Sequence, residues 1–164
     1  MAAPRHRSHI PPSGKPRAGG ASLAQRLEEH GLILLYDGHC GLCNGTVRWI
    51  LRHDRDGTMC FAPLTSAIAR EALTQLPTLR EVDSVILLHK DGAWIKSTAI
   101  LEIARYVGGI WGFAALAYVI PRPIRDWGYD VIARRRYGWF GKLERCPLPA
   151  PEEAPRFLMK GVTG

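Results

Sequence analysis

Cys40 and Cys43 stand three positions apart in the stretch LLYDGHCGLCNG, residues 34–45, just after an apolar run that stops at Asp37-Gly38. Two thiols at this spacing could hold a metal, staple the fold or carry electrons. Side chains three apart on a helix are neighbours, with Cβ atoms about 5–6 Å apart, near the span a disulfide closes. Where a strand gives way to a helix, Cys40 falls at the helix end, whose free N–H groups and dipole favour negative charge. A thiol so placed can have its pKa lowered from about 8.5 into the range of roughly 3.5–7.5, which makes it a nucleophilic thiolate near neutral pH. Cys43 continues the apolar stripe Val47–Ile50–Leu51 and is expected to face inward. An exposed attacking cysteine and a sheltered resolving one are the two parts that thiol–disulfide exchange requires.

The other readings remain open but lack parts. A zinc site needs about four ligands, usually as two close pairs, and here His53, Cys60, His89 and Cys146 are solitary. His39 adjoins Cys40, yet adjacent side chains in such a turn diverge. A c-type haem wants His after the second cysteine, where this chain has Asn44. Buried structural thiols are the plainest alternative. Asp37 has two readings of equal standing: it caps the strand end as Asp-Gly often does, or it supplies a carboxylate near the sulfurs that takes the resolving thiol's proton or orients the loop. Cys60 reads as a small core residue and Cys146 as a surface or packing residue. No bound cofactor and no metal are expected.

The elements that must position this pair follow from periodicity and turn signals. Leu23–His30 reads as a helix ended by Gly31, and Leu32–Tyr36 as a buried strand. Asn44–His53 is a helix, Thr58–Ala62 a second strand closed by Pro63, and Ser66–Leu76 a helix stopped by Pro77. Ser84–His89 and Ala93–Lys96 form a hairpin about Asp91-Gly92. Ser97 and Thr98 offer caps for a helix over Ile100–Val107. The order β-α-β-α-β-β-α predicts an α/β fold, a small mixed sheet with helices on both faces. Two more helices, Ile110–Val119 and Pro123–Tyr137, extend it, the first expected as a buried helix, with an interfacial helix as the weaker alternative. Residues 1–22 are expected as a disordered basic tail, 23–149 as the domain and 150–164 as a flexible tail.

Composition bounds the class. At 164 residues, 46% hydrophobic and 23% charged, the chain suits one globular domain. Four cysteines are too few and too unevenly spaced for a disulfide framework. No apolar signal core opens the sequence, and the run Ile110–Ile120 falls short of the roughly 18–20 residues that span a bilayer. A reducing, cytoplasmic setting is therefore expected. Of the net +7, the first twenty residues supply +4 through Arg5, Arg7, Lys15 and Arg17, and a second excess surrounds Arg134-Arg135-Arg136. Charge gives weak grounds for a nucleic-acid partner. The segment Arg134–Phe140 could serve such binding, but reads better as a helix face ending in an aromatic packing corner.

Asp37, Cys40 and Cys43 together form a D-x-x-C-x-x-C signature, and by it the chain resembles the DCC family of predicted thiol–disulfide oxidoreductases. The resemblance extends over about residues 32–149. It takes in Asp83-Ser84, Asp91-Gly92, Ser97, Pro121-Arg122-Pro123, Ala133-Arg134, Arg136-Tyr137 and Cys146-Pro147. It implies a thioredoxin-like fold and disulfide exchange, with Cys40 attacking, Cys43 resolving and Asp37 assisting. The partners implied are a disulfide-containing protein or small-thiol substrate and a separate reducing partner. One departure stands out. Thioredoxins place a cis-proline before the hairpin's first strand, where this chain has Asp83-Ser84.

Overall fold

The computed structural model describes residues 22–79, 85–144 and 148–159. The basic tail, the Asp83-Ser84 position and Cys146-Pro147 lie outside these. Ser22 opens helix α1 (Leu23–His30) with a reciprocal cap: its hydroxyl accepts from the Gln25 N–H, and the Gln25 side chain accepts from the Ser22 N–H. Gly31, at a φ of 77°, ends the helix in the left-handed region.

Four strands follow: β1 (Leu32–Tyr36), β2 (Cys60–Pro63), β3 (Ile86–His89) and β4 (Gly92–Ile95). They form one sheet in the order β2-β1-β3-β4. The central strand β1 pairs parallel with β2, Ile33 opposite Cys60, and antiparallel with β3, Ile33 opposite Leu88. A parallel pair needs a crossover, which helix α2 (Gly41–His53) supplies. Successive strand residues point to opposite faces. Ile33 and Leu35 thus pack with Leu23 and Leu27 of α1 and with Ala69 and Ala72 of helix α3 (Ala67–Gln75). Leu34 and Tyr36 pack with Cys43, Val47 and Ile50 of α2 and with Ala99 and Ile103 of helix α4 (Lys96–Val107). Covered on both faces, β1 reads as the unbroken apolar run LILLY. The expected mixed sheet is present, and the arrangement is thioredoxin-like.

Several local expectations need correcting. Thr58 and Met59 precede β2 rather than belonging to it, and α2 begins at Gly41, before the expected Asn44. His89 pairs with Gly92, so the hairpin turns on Lys90-Asp91, one position early, while Gly92 begins β4 at a φ of 147°. Helix α4 starts at Lys96 without a side-chain cap, and Ser97 and Thr98 fall inside it. Both leading residues instead reach helix α5 (Arg122–Phe140). Lys96, at a φ of 51°, pairs its ammonium with Asp130 at 2.9 Å, and the Ser97 hydroxyl donates to Asp126.

The segment after α4 departs further. Gly109–Val119 is a 3-10 helix, and none of its residues is buried. Its sequence GIWGFAALAYV is apolar all round, so no amphipathic stripe fixes which side turns inward. With three residues per turn, Ile110, Phe113, Leu116 and Val119 line up in one row, and all four are exposed. The small residues Gly112 and Ala115 take the half-buried row instead.

The expected loose tail also docks in part. Leu158 donates its N–H to the Phe61 carbonyl at 2.8 Å, the Phe157 and Phe61 rings lie 5.3 Å apart, and Arg156 pairs with Asp54. The Asp54 side chain is only 1% exposed and also accepts from Tyr106 and the Gly57 N–H. Truncating one partner of a buried, hydrogen-bonded ion pair leaves the rest uncompensated. Asp54→Ala should therefore lower unfolding free energy by about 3 kcal/mol in urea titration.

Candidate active site

The loop between β1 and α2 is held by its own polar groups. Asp37 accepts the His39 N–H on Oδ1 at 2.9 Å, and its carbonyl accepts the Cys40 N–H at 3.2 Å. Asn44 reaches back from the first turn of α2, its amide donating to the Gly38 and Cys40 carbonyls at 2.8 and 2.9 Å. Cys40, in extended conformation, becomes the residue that caps α2, and its Sγ accepts the Cys43 N–H at 3.3 Å. The sulfur thus sits against a free donor at the helix start, as the sequence predicts.

Cys43 lies one turn in, against β1 and β3 with Val47 and Ile50. Burial first, then the hydrogen bond and charge of Cys40, push its thiol up to about 12; Arg136 opposes them and Asp37 adds to them. The two cysteines are therefore unlike in surroundings, although only three residues apart. Both are free thiols, as is Cys60.

The second oxygen of Asp37 faces α5. The Tyr137 hydroxyl donates to Oδ2, and the Arg136 guanidinium lies 3.5 Å from the same oxygen. Arg136 is 3% exposed, donates to the Tyr137 oxygen at 3.1 Å and stacks over its ring. Burial, and then the bond to Asp37, raise the Tyr137 pKa above its ordinary value, so the phenol stays a proton donor. The carboxylate is thus shared between the loop turn and a buried cation. Asp37 thus closes the turn, and its charge acts on Cys43.

One expectation fails. Cys40 is 0% exposed and Cys43 6%, so the pair is not divided into an open and a sheltered sulfur. The cause is a backbone cap. Beyond α5 the chain turns at Gly141, at a φ of 77°, and Lys142 bridges antiparallel to Cys40. Gly41 donates its N–H to the Gly141 carbonyl at 3.2 Å, and Leu143 donates to the His39 carbonyl at 2.7 Å. Gly41 is required here, because a Cβ on it would stand 2.1 Å from the Phe140 carbonyl oxygen.

The remaining sequence candidates separate clearly. His39 stays at the rim, its side chain 3.9 Å from the Asp37 carboxylate. Cys60 packs on the opposite face of the sheet, with α1 and α3, where burial raises its pKa. It is core. Among the described residues, no three His, Cys, Asp or Glu side chains gather to hold a metal. The segment Arg134–Phe140 is split: Arg134 and Arg135 are exposed, whereas Arg136 and Tyr137 serve the site. Reading the whole segment as a packing corner missed this. The helical period was the available signal, since it sets Arg136 and Tyr137 on the side of α5 that carries Asp126, Tyr129 and Asp130.

The thioredoxin-like sheet thus carries a C-x-x-C pair at the start of its crossover helix. Residues 34–142 match the family of DCC1-like thiol-disulfide oxidoreductases, and the chain belongs to that family. It is 41% identical over 128 residues to the uncharacterized protein YuxK of Bacillus subtilis, covering 77% of this chain and 93% of that one. It is 35% identical over 120 residues to the chloroplastic DCC family protein At1g52590 of Arabidopsis thaliana, covering 71% of this chain and 69% of the relative. No solved structure matches the chain. A redox role follows from the family.

Two outcomes are expected from this geometry. Leu143→Pro removes the N–H that donates to His39, so Cys40 should be alkylated several-fold faster while the melting temperature stays close to that of the parent. The second concerns pH. A thiol titrating near its usual 9.0 when unfolded and at about 12 when folded adds stability that is whole below pH 9 and lost as pH rises from 9 through 12. Reduced Cys43→Ser should lack that share of the alkaline loss in parallel denaturation curves.

Proposed function

We propose that the chain exchanges disulfides through Cys40 and Cys43, Cys40 attacking and Cys43 resolving. The asymmetry of the two sulfurs carries this reading: Cys40 accepts an N–H at the helix start, while Cys43 holds its proton up to about 12. Cys40 sulfur attacks a substrate disulfide, forming a mixed disulfide and releasing one substrate thiolate. That bond removes the Cys40 charge and its capacity to accept from the Cys43 thiol. The hydrogen bond to Cys40 and its charge, which together with burial hold the Cys43 thiol up, then fall away, and the resolving thiol becomes easier to ionise only once it is needed. Cys43 gives up its proton, attacks Cys40, closes the Cys40–Cys43 disulfide and frees the second substrate thiol. Two electrons pass from the pair to the substrate.

Asp37 is the proton acceptor in this scheme, with Tyr137 and Arg136 fixing the carboxylate's position and moderating its charge. The substrate is a disulfide-bearing protein or a small disulfide, and a separate reductant restores the dithiol. A reducing compartment suits that cycle, whether cytoplasm or the chloroplast named for the Arabidopsis relative. Entry of a substrate requires the Gly141–Leu143 cap to lift from Cys40.

The test is to express Cys43→Ser and Cys40→Ser in cells, quench with acid, alkylate and search for reducible high-mass adducts. Adducts from Cys43→Ser alone are expected, and their masses would identify the substrates. Equal adducts from both variants would overturn the division of labour, and adducts from neither would remove the exchange reading.

A further inference from the structure

Helix α5 is amphipathic in the reverse sense. Its inward side, set by the 3.6-residue period, carries Asp126, Tyr129, Asp130, Arg136 and Tyr137, which bind Ser97, the Val85 N–H, Lys96 and Asp37. Its outward side carries Ile124, Trp127 and Trp139, which are 59%, 67% and 57% exposed. The 3-10 helix before it repeats the inversion, with its large residues Ile110, Phe113, Leu116 and Val119 outermost at 69–85% exposure. The two apolar rows are joined through Val119, Ile120 and Ile124, all exposed. So large an unpartnered apolar surface marks a site of contact.

The charge around these rows decides among occupants. From Lys96 to Lys142 the chain holds eight Lys and Arg against three acids, Glu102, Asp126 and Asp130. Two of those acids are engaged within the fold, Asp126 by Ser97 and by Arg122 at 3.2 Å and Asp130 by Lys96, while Arg134 and Arg135 stay exposed. A second copy of this face would bring like charge against like charge. Protruding ridges of this kind suit a soft medium, and Trp beside Arg, as in Trp139 under Arg135, is the pairing favoured where hydrocarbon meets headgroups. No helix among the described residues is long and apolar enough to cross a membrane.

We propose that the 3-10 helix and the outer side of α5 seat the protein peripherally on an anionic bilayer, with Ile110, Phe113, Leu116, Val119 and Trp127 entering the acyl boundary and the arginines meeting headgroup phosphates. This stands apart from the exchange chemistry, since none of these residues belongs to the cysteine site.

The full chain is floated through a density step with vesicles of phosphatidylcholine alone, or of phosphatidylcholine mixed with phosphatidylglycerol. Binding to the mixed vesicles is expected. Phe113→Asp with Leu116→Asp should cut the partition about tenfold, because it sets acids in the inserting row. The same double variant should keep its circular-dichroism melting curve, so lost flotation reports the surface and not the fold. Wild-type protein that stays unbound to the mixed vesicles overturns the proposal. So does flotation that the double variant retains in full, which would assign binding to the basic first twenty residues. A wild-type dimer in light scattering that the variant makes monomeric, without flotation of either, would give the face to a second copy and also overturn it.

Discussion

The contact on which the rest depends is the one between Asp37 and the end of α5, a hundred residues later in the chain. Asp37 ends the central strand and shapes the turn that delivers Cys40 to the start of α2. Its other oxygen is bound by Tyr137 and Arg136, so the same carboxylate that builds the loop fastens the C-terminal helix over it. Once α5 is anchored there, the backbone beyond it is bound to lie along Cys40. Gly41 between the cysteines is then fixed by contact, since no Cβ fits beneath the Phe140 carbonyl. The charge balance around Cys43 comes from the same place, Arg136 easing what Asp37 and Cys40 impose.

An ion pair this buried gains little net stability over an apolar contact of the same shape. What it supplies is position. A thioredoxin-like sheet has its core on both faces and could close without the extension. The polar underside of α5 instead ties three separate points of that fold, at Asp37, at Lys96-Ser97 and before β3 at Val85. These are the strand end that carries the cysteine loop, the start of α4 and the entry to the hairpin. The site is therefore framed by elements that come from both ends of the domain.

The sheet and its two helical layers were legible because burial on both faces leaves an unbroken apolar strand, while helices buried on one face leave a stripe. LILLY and Cys43–Val47–Ile50 are such records. The cysteine pair and Asp37 were legible because residue type and spacing carry the chemistry by themselves. The role of Arg136 was not: three successive arginines look alike until a partner a hundred residues away selects one. The cap over Cys40 was hidden for a related reason. It is made of backbone hydrogen bonds, which any sequence can donate, and the one trace it leaves is a glycine that could equally have marked flexibility. The exposure of the 3-10 helix was hidden because hydrophobicity does not by itself mark burial; it only measures how poorly a surface suits water.

That α5 docks through polar groups rather than apolar ones sets how it comes loose. Apolar docking would tie its release to melting of the core, with a heat-capacity signature. Ionic and hydrogen-bonded docking lets the helix detach as a unit of its own while sheet and core persist, at a free energy that ionic strength adjusts through the half-exposed Lys96–Asp130 pair more than through the buried Arg136–Asp37 one. Amide protons of Gly41 and Leu143 would then exchange through this partial opening and those of β1 only through global unfolding. Reactivity of the buried cysteine would thus follow the electrolyte around the protein, independently of how stable the domain is as a whole.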